Sequence, residues 1–113
     1  MGMGAYIGAL VSVLAGALGL LWPRKVSTVI GLHLPGRLGV SEFRATYGGL
    51  FIGAGLAVIL AASPDAALVL GAGWIGAFVA RMISIVVDRS ASKENLVGCV
   101  IELAIGSALI LGR

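Results

Sequence analysis

Four apolar runs, each near the length that crosses a bilayer and each separated from the next by polar residues, constrain this chain more than any other feature. Helical spanning takes about 20 predominantly apolar residues. The first run extends from about Gly4 to Trp22, has hydroxyls only at Tyr6 and Ser12, and ends at Pro23-Arg24-Lys25. The second runs from about Phe43 to Ala62, entered through Ser41-Glu42 and closed by the tight turn Ser63-Pro64-Asp65. The third covers Ala66 to Val87 and stops at Asp88-Arg89, and the fourth covers Leu96 to Leu111. Of 113 residues, 59% are hydrophobic and only 12% charged, about half the charge content of a soluble domain. A core this small could not hide that much apolar surface from water, so lipid is its solvent. The expectation is all-α: a single integral membrane domain over residues 1–113, built as a four-helix bundle with spans at 4–22, 43–62, 66–87 and 96–111.

Charge placement orients the bundle. Four crossings put both chain ends and the Ser63–Ala66 turn on one side. The other side receives the Pro23–Glu42 and Asp88–Asn95 loops. That second side holds Arg24, Lys25, Arg37, Arg89 and Lys93, with Arg44 and Arg81 near it, whereas the first holds only Arg113. Cytoplasmic loops carry the excess of Lys and Arg, so both termini are expected outside the cytoplasm. Trp22 and Tyr6, near opposite ends of the first span, fit interfacial anchoring. The net charge of +3 thus reads as topology rather than as a footprint for nucleic acid. No basic residue precedes the first apolar run, so that run is expected to stay attached as a helix rather than leave as a signal peptide. Within the first loop, Val26, Val29, Ile30, Leu32 and Leu34 alternate with polar residues up to Pro35-Gly36. Pro23–Leu34 therefore reads as a short segment in the interface, apolar side down, with a plain surface loop as the alternative.

Glycine content shapes the expected packing. Gly4, Gly8, Ser12 and Gly16 recur every four residues, as do Ala45, Gly49, Gly53 and Ala57 in the second span. Gly73 and Ala77 form a shorter stripe leading to Arg81, and Gly98, Glu102 and Gly106 share a face of the fourth span. Small residues at this spacing let helix backbones approach closely in lipid, either within the bundle or between copies of it. The run Gly71-Ala-Gly73-Trp-Ile-Gly76 also matches the dinucleotide-binding fingerprint. Asp88 follows Gly71 by about 17 positions, where that fingerprint wants about 20 before its acid, and apolar spans flank it on both sides. These glycines read as helix packing.

Ionisable residues within spans are costly and mark functional sites by default. Arg81 lies seven residues before Asp88, and Glu102 seven after Asn95 on the returning helix. Each is thereby about 10 Å from the same boundary at 1.5 Å per residue. Opposite charges at one depth on consecutive helices predict an Arg81–Glu102 ion pair, with the guanidinium fork matched to the carboxylate. Glu42 and Arg44 open the second span on that side, and Tyr47 shares the face of Arg44. The cluster Glu42, Arg44, Tyr47, Arg81 and Glu102 admits two readings. One is a structural ion-pair network that fixes helix register; the other is a polar cavity taking a lipid headgroup, a quinone or a proton-coupled substrate. The outer half of the bundle offers only Tyr6, Ser12, Ser63 and Ser107, which argues against a through-pore. Cys99 is the only cysteine, so neither a disulfide within the chain nor a cysteine metal site is expected. His33 reads as an interfacial loop residue. No nucleophile, base and orienting acid converge, so neither an enzyme nor a cofactor is expected.

Glu42-Phe-Arg-Ala-Thr-Tyr-Gly-Gly-Leu-Phe-Ile-Gly53 resembles the R-A-x-Y-G-G-L-x-x-G signature of an uncharacterised family of small bacterial four-helix membrane proteins. Arg44, Ala45, Tyr47, Gly48, Gly49, Leu50 and Gly53 match it, and Arg81 and Glu102 are similar to an arginine and an acid in that family's third and fourth spans. The layout is also similar, more distantly, to the DoxX-like group. The resemblance implies a multi-pass protein of the bacterial inner membrane and carries no activity. The expected function is that of a non-enzymatic membrane protein that self-associates or serves a larger membrane complex. The alternative is a transporter or a binder of a small ligand or lipid at the polar cluster.

Overall fold

The computed structural model describes Met1–Arg113 and is entirely helical between its turns. Helix α1 (Met3–Leu21) stops where Trp22 leaves helical geometry and Pro23, lacking an N–H, opens α2 (Pro23–Val29) at its first position. The hydroxyls of Ser27 and Thr28 donate back to the Arg24 carbonyl at 3.0 and 2.8 Å, tightening this short helix. Gly31, at φ +84°, then reverses the chain. Helix α3 (Gly36–Arg44) runs without a break through a π turn (Ala45–Gly49) into α4 (Leu50–Ala61). In the π turn the Leu50 N–H reaches back five residues to the Ala45 carbonyl. A left-handed Ala62 ends α4, and Ser63 caps α5 (Pro64–Val87), its hydroxyl accepting from the N–H groups of Asp65 and Ala66. Ser92 caps α6 (Lys93–Leu111) in the same way through Asn95.

Four helical stretches are long and apolar enough to cross a membrane: Met3–Leu21, Gly36–Ala61, Pro64–Val87 and Lys93–Leu111. The all-α, four-helix expectation therefore stands, and two of the helices extend N-terminally beyond the apolar runs. The second helix begins at Gly36 rather than Phe43. Its first nine residues carry Arg37, Glu42 and Arg44, which lower the local hydropathy without opposing helix formation. The fourth begins at Lys93 rather than Leu96, because Ser92 supplies a cap that hydropathy does not register. The first loop is helical over Pro23–Val29 and leaves Val29, Ile30 and Leu32 exposed.

Helix α1 is the hub, packing against α4 on one side and α6 on the other, while α5 packs chiefly against α6. The ends of the chain meet, with the Gly2 N–H donating to the Arg113 carbonyl at 3.1 Å. Helices α4 and α5 are joined through their short turn and through the rings of Phe51 and Trp74, 5.1 Å apart. The backbones of α3 and the π turn lie on α1 and nowhere approach α5 or α6. The buried apolar cluster is small: Ala5, Ala9, Val58, Ala67, Ile105 and Leu109.

Glycine stripes set these seams, though not all the predicted ones. On α1, Gly8, Ser12 and Gly16 are buried as expected. A Cβ at Gly16 would stand 2.7 Å from the Gly48 carbonyl oxygen, and one at Gly55 2.7 Å from that of Ala9. The α5–α6 seam closes on Gly71 and Gly106, where a Cβ added to either would stand 3.2 Å from the other's carbonyl oxygen. The Ala45–Gly49–Gly53–Ala57 stripe faces outward, and so do Gly73 and Ala77. The packing face of the second helix is instead Gly48, Ile52 and Gly55. All six residues of the dinucleotide-like run lie inside α5.

Candidate functional site

Arg81 and Glu102 project from α5 and α6 toward each other and form the only ion pair in the molecule. Arg81 Nε lies 3.0 Å from both carboxylate oxygens, and Nη2 donates to Oε1 at 2.6 Å. Glu102 is buried, and Arg81 is partly exposed. The third arm of the guanidinium, Nη1, donates to Asn95 Oδ1 at 2.8 Å. Asn95 is held in turn from the other end, its Nδ2 donating to the Ser90 carbonyl at 2.7 Å and the Ser90 hydroxyl at 3.1 Å. The Ser90 hydroxyl donates to the Ser84 carbonyl at 3.1 Å, tying the network to the last turn of α5. Asn95, Gly98 and Glu102 fall at i, i+3 and i+7 and so share one face of α6. Gly98 leaves the space in which the guanidinium lies: a Cβ there would stand 2.7 Å from Arg81 Cζ. A buried carboxylate requires such pairing to remain ionised, and no buried side-chain polar atom in the molecule lacks a partner.

The other three predicted site residues make no hydrogen bond or ion pair with this network, although Tyr47 stands close enough to Arg81 to act on its charge. Glu42 is exposed and unpaired. Arg44 lines a groove of about 340 Å³ with Trp22, Pro23, Arg24, Lys25 and Val40. Tyr47 stands in an aromatic row along the second helix: its ring stacks on Phe43 at 4.6 Å and meets Phe51 at 6.0 Å, and Phe51 meets Trp74. Of the five residues, Glu42 and Arg44 thus stand apart from the Arg81–Glu102 pair, while Tyr47 stays near it. Glu42 and Arg44 separate because α3 packs on α1 and α2, and the sequence does not announce that placement.

Two further polar features escaped the sequence reading. Asn95 was legible in principle, since it precedes Glu102 by seven residues on the same face. The second is a hydrogen bond from Trp74 Nε1 to the fully buried Ser12 Oγ at 3.0 Å, which links α5 to α1. The Ser12 hydroxyl itself donates to the Gly8 carbonyl at 2.9 Å. Side chains of His, Cys, Asp and Glu nowhere gather in a group of three that could hold a metal.

The arrangement at Arg81 joins α5 to α6, with both carboxylate oxygens of Glu102 contacted by one guanidinium. The sequence profile of one family, described as Domain of unknown function (DUF4345), matches residues 4–112. No curated protein and no solved structure matches the chain.

Proposed function

The chain belongs to the DUF4345 family, and from that premise we propose that it is a non-enzymatic multi-pass membrane protein that associates with copies of itself through its outer helix faces. The observation that carries this reading is the contrast among its glycines. Gly8, Gly16, Gly48, Gly55, Gly71 and Gly106 each meet another helix, whereas Gly53, Gly73 and Gly76 meet nothing within 4 Å. A glycine inside a helix costs about 1 kcal/mol relative to alanine, and these return no contact within the chain. Gly49, Gly53 and Ala57 line one outward stripe on the second helix. Such stripes are how helices approach one another in lipid, and a second copy offers the same stripe in return. Service as an accessory subunit uses the same surface with a different neighbour.

The Arg81–Glu102 pair supports a structural role in this reading. Glu102 takes both of its contacts from the one guanidinium, whose third arm is bonded to Asn95, and this favours a structural pair over a site for a quinone, a lipid headgroup or a transported proton. The basic residues gather at the end of the bundle opposite the chain ends. This supports an orientation with both ends on the non-cytoplasmic side, and the resemblance to small bacterial membrane proteins supports a bacterial inner membrane.

Native mass spectrometry from detergent tests the association. The wild-type chain should appear as an oligomer, and Gly53→Leu, which fills the outward stripe, should shift it to monomer. A strictly monomeric wild type overturns the reading. A stable complex with a different protein in place of self-association moves it to the accessory role.

A further inference from the structure

We propose that the groove between the end of α1, α2 and α3 binds the phosphate of an anionic phospholipid. Three of its six lining residues, Arg24, Lys25 and Arg44, carry positive charge, and no acid lines it. The single ion pair of the molecule lies elsewhere, so none of the three has a counter-ion within the chain. Like charges gathered around one concavity repel one another unless an anion joins them. The backbone that carries them is firmly placed. Pro23 is buried, the Arg24 carbonyl receives two hydroxyl hydrogen bonds, and Gly19 of α1 lies against the Tyr47 carbonyl in the turn that follows Arg44.

Guanidinium groups match phosphate oxygens in pairs, and a lysine adds a mobile point charge. A volume of about 340 Å³ is at the small end for a ligand site and suits a headgroup rather than a whole lipid. Position favours lipid as the source of the phosphate. The exposed Trp22 closes one wall at the end of a spanning helix, the level at which tryptophans sit in the membrane interface. Basic residues at that level attract anionic headgroups. Leu18 and Leu21, both exposed on the last turn of α1, provide an apolar track for acyl chains.

Quenching of Trp22 tests the site, because Trp74→Phe leaves Trp22 as the only tryptophan. The protein is placed in phosphatidylcholine nanodiscs containing an equal fraction of brominated phosphatidylglycerol or brominated phosphatidylcholine. Brominated phosphatidylglycerol should quench more strongly. In Arg24→Gln/Lys25→Gln/Arg44→Gln the preference should fall at least roughly five-fold. The charge-matched control Arg37→Gln/Arg89→Gln/Lys93→Gln should keep it. Retention of phosphatidylglycerol by the otherwise unaltered chain in native mass spectrometry should follow the same order. Equal quenching by the two lipids, or equal losses in the two triple variants, overturns the groove as a site. Abolition of the preference by millimolar inorganic phosphate overturns lipid as the ligand and assigns the groove to free phosphate.

Discussion

Gly98 lies directly under the guanidinium of Arg81, where a Cβ would stand 2.7 Å from Cζ and 2.8 Å from Nε. An arginine tip can ordinarily swing away from such a contact. Here it is clamped by Glu102 on one side and Asn95 on the other. Gly98→Ala should therefore be destabilising despite alanine's better helix propensity, by about 1 to 3 kcal/mol, the usual range for overpacking. Reversible unfolding in detergent–SDS mixtures would measure it, and a stabilised Gly98→Ala chain would mean that the guanidinium is not held.

The ion pair itself predicts non-additivity. Arg81→Gln leaves the buried Glu102 carboxylate without its cation, and Glu102→Gln leaves the guanidinium without its anion. Stranding a buried charge typically costs about 3 to 5 kcal/mol, so Arg81→Gln should be the more damaging single change, because Glu102 is buried and Arg81 is 34% exposed. The double variant carries two neutral amides at the same positions and should cost less than the sum of the singles by about 1 to 3 kcal/mol. Additive losses in the same unfolding assay would show that the two side chains act independently.

The inward and outward glycines separate by substitution. At Gly16 an added Cβ meets backbone, the Gly48 carbonyl oxygen at 2.7 Å and the Ile52 nitrogen at 2.8 Å, and backbone cannot step aside. Gly16→Ala should lower stability by about 1 to 3 kcal/mol. At Gly53 the space is open, so Gly53→Ala should raise the stability of the isolated chain by up to about 1 kcal/mol. Thermal unfolding at detergent-to-protein ratios that keep the chain monomeric would resolve the two signs.

The four spans were legible because length and hydropathy suffice to specify them in lipid. The meeting of Arg81 and Glu102 was also within reach of the sequence, since both are seven residues from the same loop on consecutive helices. Which stripe of the second helix faces inward was not. Gly48–Ile52 and Gly49–Gly53 both repeat every four residues, and the choice between them depends on where α1 lies and on the π turn, which adds a residue to the local register. The same long-range packing carries Arg44 toward Arg24 and Lys25 rather than toward Arg81. A shared side of the bilayer suggested a single cluster, and the packing of α3 on α1 and α2 rather than on α5 sets Glu42 and Arg44 apart from it.

The hydrogen bond between Trp74 and Ser12 predicts an asymmetry between its two partners. Trp74→Phe removes the donor but leaves the Ser12 hydroxyl bonded to the Gly8 carbonyl, and the phenyl ring can keep the contact with Phe51. The loss should be that of one interhelical hydrogen bond in a membrane protein, about 0.6 to 1.7 kcal/mol. Ser12→Ala instead strands the indole N–H against a fully buried apolar site, where an unsatisfied donor costs about 1 to 3 kcal/mol. Unfolding of both variants should rank Ser12→Ala as the more damaging. The reverse order would mean that the indole finds another acceptor and that this bond does not join α5 to α1.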